Sequence, residues 1–475
     1  MTASDDRLFN VSEIAAVIGT SSWDASMMDQ PIYSVTHDSR QVSGGELFVA
    51  LEGDRTDGHT HVLDALDRGA VAALVRQEKM DMFHGDPRAL PVNDPLLSLG
   101  DIARWYRKHF DVTVIGITGS VGKTTCKDLL AGILQRQFKV VKNSGNYNTE
   151  VGVPHTLFKL RSEHDIAVVE MAMRGLGDID YLAKIADPEI GVLTNITESH
   201  IEVLGSQENI ARAKAELFEY LSDGDTAVLD ALGSWMDWVA ERTTATKEYY
   251  AGQYHRLARV WAENVRADEW SRAAFDLCFS DGKRCRVALP LAGVHHVSNA
   301  LAAACTAHIC GVPADEIADG LRQAELSGMR MQWLDRGDIL IIDDAYNSSP
   351  TSCRAALETL SGSAVGQRKV AVLADMLELG DYARKGHREI GRILGKLDVD
   401  IVVTVGDLAH GMGETAVEGG FPGECHHRYD DNASLVADLE DLIRPGDVVL
   451  VKGSRGCRLE EVVRALKRLY PLTER

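Results

Sequence analysis

VTVIGITGSVGKTT, residues 112–125, decides how the rest of the chain is read. Val112–Thr118 is an apolar, β-branched run, the signature of a buried strand. A glycine loop follows, and then a helical pattern from Lys123 to about Gln137. Strand, glycine loop and helix in that order form a phosphate cradle. Gly119, Ser120 and Gly122 let backbone N–H groups approach phosphate oxygens, Lys123 neutralises β/γ charge, and the Thr124 hydroxyl can ligand Mg²⁺. The strict pattern wants glycine at position 117, where this chain has Ile117, so the match is to the shorter GxxGKS/T form. The competing reading is a plain glycine turn with an exposed lysine.

Working outward, apolar strands alternate with helices. Strands are expected at Ile166–Glu170 and Ile190–Asn195, and a helix at Gln207–Leu221. Such alternation indicates a parallel sheet covered on both faces. Beyond about Leu326 a second doubly wound unit is expected, with strands at Ile339–Asp343, Lys369–Leu373, Ile401–Val405 and Val448–Val451. Before residue 112 the clearest signals are a strand in Glu46–Leu51 (ELFVAL), a helical pattern over Val62–Gly69 and the apolar run Ala70–Val75. The expectation is an α/β chain of three domains, 1–112, 113–325 and 326–475, with hinges near 113 and 326.

The 475 residues are too many for one core, and the composition suits a soluble globular protein. A formal net charge of −21 argues against nucleic-acid and anionic-membrane binding, which need a basic field. It is compatible with an anionic substrate held by local cations and helix N-termini. The first residues, MTASDDRLFNVSEIAAVIG, do not read as a signal peptide, and no apolar run has the length of a membrane span. The eight cysteines are scattered without a CxxC pair and read as buried free thiols of a reducing cytosol. A cytoplasmic monomer is expected.

Three further residues stand out. Glu170 ends its strand where α/β sheets bind ligands, and could hold a metal or simply face solvent. His200 follows the next strand, as a metal-site or a structural histidine. Lys214 shares a helical stripe with Ile210 and Leu217 and so points inward. An inward lysine has a partner or a function, or else snorkels to the surface.

These residues, taken with others in order along the chain, resemble the Mur ligases. Thr118–Thr125 resembles that family's ATP loop, and Asn146-Tyr147-Asn148-Thr149-Glu150-Val151-Gly152-Val153-Pro154 resembles its NxNNxxGxP segment. Glu170 matches the metal-binding glutamate. Asn195 and His200 match TNxxxxH, whose histidine supports a second Mg²⁺. Lys214 matches a lysine that many members carry as a carbamate. Gly293–Asn299 resembles GxHNxxN, whose last asparagine, Asn299, faces adenine. Arg330 resembles the arginine entering the third domain, and Asp343–Pro350 resembles DDxYNANP, in which Asp344 and Tyr346 bracket ribose and base. Thr149, His296, Met329 and Ala172 depart from the usual residues, Met329 standing where glycine is common.

Within the family, DAYNSSP, Asp375–Gly380 (DMLELG), Gly205–Glu208 and Lys452-Gly453-Ser454-Arg455 resemble the branch that adds D-alanyl-D-alanine to a UDP-linked muramoyl tripeptide. Asp38-Ser39-Arg40 and Glu46–Gly53 resemble its UDP-sugar-binding domain. The resemblance implies ATP and two Mg²⁺ ions as cofactors, and an amide bond made through an acyl phosphate. ATP would meet residues 119, 120, 122–125, 299, 330, 344 and 346. Thr124, Glu170, His200 and Lys214 would serve the metals. Ser39, Arg40, Asn146, Asn148, Lys452, Ser454 and Arg455 would serve the substrates. The alternatives are the relative that adds the third amino acid, whose DNPR-type motif is missing here, and, in another class, a nucleotide switch, against which stands the absence of an NKxD motif.

Overall fold

The computed structural model describes residues 7–20, 23–53, 56–198 and 201–471. They divide into two compact units. One comprises the chain up to Gly116, together with Phe138–Ala172 and Asp178–Glu189; the other comprises Ile117–Gln137, Met173–Gly177 and Ile190 onward. The division falls within the strand Thr113–Thr118, expected from residue 112. Val114, Ile115 and Ile117 are fully buried there, as an apolar strand covered on both faces requires.

In the first unit, Ser34–Thr36, Glu46–Val49, Ala72–Arg76 and Ala89–Val92 form a parallel four-stranded sheet. Phe48, Ala73 and Val75 pack with Val62, Ala65 and Leu66 of the helix Val62–Asp67 in one core. The helix Pro95–Arg107 starts where the Asp94 side chain accepts from the N–H groups of Leu96 and Leu97, with Pro95 at its first position. Val140–Lys142 and Ile166–Glu170 pair in parallel, so Asn143 and Glu170 emerge at the same sheet edge.

In the second unit, Ile190–Leu193, Thr226–Asp230, Thr246–Ala251 and Ala258–Ala267 continue in parallel. Arg272–Phe279 and Arg284–Ala292 then add to the sheet antiparallel, a departure from the all-parallel expectation. Over much of their length these last strands alternate buried with more exposed residues, as half-covered antiparallel strands do. A second sheet runs Gln332–Asp335, Leu340–Asp344, Asp447–Lys452, Arg368–Ala374, Ile401–Val405, His426–Tyr429, parallel except at its first strand. Its two faces carry separate cores. Ile342, Ala371 and Leu373 pack with Leu357, Ile390 and Met412 on one side. Ile341, Val370 and Val372 pack with Leu435 and Leu466 on the other. This is the doubly wound arrangement expected beyond residue 326.

Candidate active site

The glycine loop has the backbone its sequence demands. Gly119 and Gly122 have φ of 150° and 85°, where a side chain is disfavoured. A Cβ at Gly119 would run into the Thr194 hydroxyl, and one at Gly122 into the Asn299 amide. The loop is fixed by the segment following the neighbouring strand. Ser120 N–H donates to Asn195 O at 2.9 Å, and Thr194 Oγ1 donates to Val121 O at 2.7 Å. The Asn195 amide both accepts from Val121 N–H and donates to Val121 O, each at 2.9 Å. Ser120 Oγ exchanges bonds with Thr197, donating to its carbonyl and accepting from its N–H. Tyr250, fully buried, supports that segment from behind by donating to Leu193 O and Thr194 O.

The helix Lys123–Leu134 starts directly after this loop, and Cys126 N–H donates to Gly122 O at 2.8 Å in its first turn. Lys123 Nζ bends back onto Gly119 O at 2.7 Å. Thr124 and Thr125 are buried at the helix start. The buried hydroxyls of Thr118 and Thr197 have no protein partner, which suits a loop built to receive further polar ligands.

Lys214 is 1% exposed on helix Gln207–Tyr220, so the inward reading of its spacing is correct. Burial, reinforced by the charge of Lys123, pushes its ammonium far below the usual lysine range. Asn299 lies against Gly122, with its amide nitrogen 3.3 Å from His296 Nδ1. His296, a departure from the usual asparagine, thus braces the residue expected to face adenine. Burial, with its neighbour His295, keeps His296 neutral; His295 itself is lowered to about 4 by burial, against the raising effect of Asp344.

At the carboxyl edge of the second sheet, the Arg330 guanidinium lies 3.9 Å over the Tyr346 ring and that of Arg455 lies 5.8 Å from it. Lys452, 2% exposed, donates to Asp344 Oδ2 at 2.5 Å and to Asn347 O at 3.0 Å. Ser454 Oγ accepts from Leu377 N–H and donates to Ser348 O. The Asp375 carboxylate caps the helix Asp407–Glu418 through Ala409 N–H. The residues singled out in the sequence lie together at this edge, where Lys452 and Ser454 also hold Asp344 and the loop after it.

In the first unit Glu170 is 1% exposed and accepts from Asn148 Nδ2 at 2.7 Å. Asn143, which sequence reasoning missed, accepts from Glu170 N–H at 2.6 Å and donates to the carbonyls of Tyr147 and Glu170. It directly follows the short strand Val140–Lys142, parallel to that of Glu170, which the sequence reading did not pick out. Asn146 is exposed on the same loop. Ser39 is nearly buried, while Arg40 is held in a two-pronged bond by Asp38, whose carboxyl falls to about 2 as a result. His37 Nδ1 meets His155 Nε2 at 3.1 Å, joining this loop to the helix Gly152–Leu157. His200 lies outside the described residues.

Among the described residues, one acidic cluster has metal-like spacing: Glu52, Asp57 and His59. Lys79 Nζ already donates to Glu52 at 2.5 Å and to Asp57 at 2.6 Å. An ammonium stands where a cation would, and we assign no metal there. No helix among the described residues is long and apolar enough to cross a membrane.

Comparison with known proteins agrees with this geometry. Family models match three successive segments: "Mur ligase family, catalytic domain" at residues 31–109, "Mur ligase middle domain" at 117–307 and "Mur ligase, glutamate ligase domain" at 329–455. A Synechocystis protein named UDP-N-acetylmuramoyl-tripeptide--D-alanyl-D-alanine ligase is 36% identical over 444 residues, 92% of each chain. Its Bacillus subtilis namesake is 34% identical over 92% of this chain and 93% of its own. A crystal structure of MurF from Acinetobacter baumannii superposes with a TM-score of 0.87 at 30% identity, covering 97% of this chain and 99% of that one. MurF ligase from Thermotoga maritima, solved in complex with ADP, gives 0.78 at 27% identity over 92% and 97%. This chain belongs to the Mur ligase family.

Proposed function

We propose that this chain is an ATP-dependent ligase that joins D-alanyl-D-alanine to the terminal carboxylate of UDP-N-acetylmuramoyl-tripeptide, a step in building peptidoglycan precursors in the cytoplasm. The observation that carries the reading is likeness over 92% of the chain to relatives bearing that name; the clamped glycine loop, Asn299 against Gly122 and the Arg330–Tyr346 stack support it. The three matched segments support domains at 1–112 for the UDP-sugar, 113–325 for ATP and 326–475 for closure and the dipeptide. The enzyme acts as a monomer.

A carboxylate is a poor electrophile and must be activated. One of its oxygens attacks the γ-phosphorus of ATP, the bond to the β-bridging oxygen breaks, and ADP leaves with that electron pair. The dipeptide amine then adds to the acyl carbon, loses a proton, and the tetrahedral intermediate expels phosphate. Both encounters oppose like charges, and the site must supply positive potential. Lys123 and the first N–H groups of its helix would gather the phosphates, Asn299 and the Arg330–Tyr346 stack would hold adenosine, and Asp344 would take the ribose.

Thr124 and Glu170 fit Mg²⁺, being hard oxygen donors, the second oriented by Asn148. The ion would supply positive charge to offset that of the phosphates. His200 and Lys214 would serve a second ion. Burial disfavours the ammonium of Lys214, which favours the amine form that adds CO₂, loses a proton and becomes an anionic carbamate. Ser39, Arg40, Asn146, Asn148, Lys452, Ser454 and Arg455 are proposed to meet the two substrates.

The test is a matrix of UDP-linked dipeptide and tripeptide against single amino acids and D-alanyl-D-alanine, reading ADP release. Turnover confined to tripeptide with D-alanyl-D-alanine is expected. Turnover of dipeptide with a single amino acid would assign the chain to the third-residue ligases instead.

A further inference from the structure

The linker after helix Ala314–Arg322 is fastened to the helix that follows the phosphate loop. Ser327 donates twice to Asp128 Oδ2, from its N–H at 2.9 Å and from its hydroxyl at 2.7 Å. Asp128 is 2% exposed and sits one turn beyond Thr124 on Lys123–Leu134. The two helices pack without slack: a Cβ at Gly320 would stand 2.7 Å from Ile133 Cα. A buried carboxylate strongly disfavours losing such donors, so Ser327 is held in place.

Three residues on comes Arg330, over the Tyr346 ring. The residues flanking it, Met329 and Met331, both have left-handed backbone, with φ of 60° and 50°. Each is tied to the strand-end loop: Tyr346 N–H donates to Met329 O at 3.2 Å, and Met331 N–H to Asp344 Oδ1 at 3.1 Å. A continuous path of bonds therefore runs from the phosphate-loop helix through Asp128 and Ser327 to Arg330, Tyr346 and Asp344.

We infer that Asp128 and Ser327 are positioning residues for ATP: they set the distance between the loop that takes the triphosphate and the Arg330–Tyr346–Asp344 group that takes the nucleoside. The inference rests on reading residues 118–125 as the ATP loop. Neither side chain touches substrate; each acts through Arg330.

The full-length enzyme with Ser327→Ala, Ser327→Thr, Asp128→Asn, Arg330→Ala and Lys123→Ala tests this. Loss of one hydrogen bond to a buried carboxylate predicts that Ser327→Ala raises the KM for ATP about fivefold, with the KM for UDP-linked tripeptide unchanged. Ser327→Thr, which keeps the hydroxyl, restores it. Ser327→Ala combined with Arg330→Ala raises the ATP KM by less than the product of the single effects, because both break one path. The inference is overturned if Ser327→Ala and Asp128→Asn leave the ATP KM unchanged while lowering only Tm, or if the Ser327 and Arg330 effects multiply. Lys123→Ala separates the two layers: Mg-ATP binding undiminished in that variant sinks the ATP-loop reading itself, whereas lost binding there with an unaltered Ser327→Ala sinks only the positioning role.

Discussion

Asn195 grips Val121 from both sides, its amide oxygen accepting from Val121 N–H and its amide nitrogen donating to Val121 O. The residue that ends one strand's loop thereby shapes the loop that ends the next. Asn195→Ala removes both bonds. At about 1 kcal/mol net for each, ATP affinity should fall roughly tenfold to thirtyfold, read by titration calorimetry with Mg-ATP. Affinity equal to wild type would show that the loop keeps its shape without the clamp.

Gly122→Ala places a methyl group where the Asn299 amide sits, on backbone with φ of 85°. The left-handed backbone costs about 1 kcal/mol for alanine, and Asn299 must also move. Nucleotide binding should be lost with a drop of only a few degrees in Tm. A variant that keeps its ATP KM contradicts the placement of Asn299.

Asn148→Ala removes one hydrogen bond to the side chain of Glu170 without altering the carboxylate. Residues that orient a metal ligand are worth about tenfold or more in metal affinity. The Mg²⁺ concentration for half-maximal rate should rise by about that factor, with kcat recovered at saturating Mg²⁺. No change in Mg²⁺ dependence would refute the proposal that Glu170 is a metal ligand.

Burial holds His295 and His296 neutral. In the unfolded chain both would take a proton below about pH 6.5. Their effect on stability is therefore absent above that pH and becomes unfavourable as pH falls, levelling for His295 only near its lowered value of about 4. Near pH 5 the neutral buried imidazole of His295 costs about 2 kcal/mol, and that of His296 acts in the same direction. His296→Asn, which keeps a partner for Asn299, should narrow the gap between urea midpoints at pH 7.5 and pH 5. An unchanged gap refutes the assignment.

Contiguous apolar runs bounded by turn residues were legible in the sequence: Ile166–Glu170 and Ile401–Val405 match their expected bounds, and the phosphate loop is where its glycines put it. Lys214 was legible because helical spacing fixes direction. The antiparallel strands Ala258–Ala267, Arg272–Phe279 and Arg284–Ala292 were not, since their exposed faces carry polar residues that dilute the apolar signal. Asp128 was invisible for a different reason: its partner lies 199 residues away, and no local pattern encodes so distant a bond.

Methionine at 329 stands on left-handed backbone, which glycine adopts without strain. The side chain makes this conformation dearer by about 1 kcal/mol, so the segment is biased like a lightly wound spring toward other shapes. Met329→Gly would slacken that spring and deepen the present arrangement, in which Arg330 lies over Tyr346.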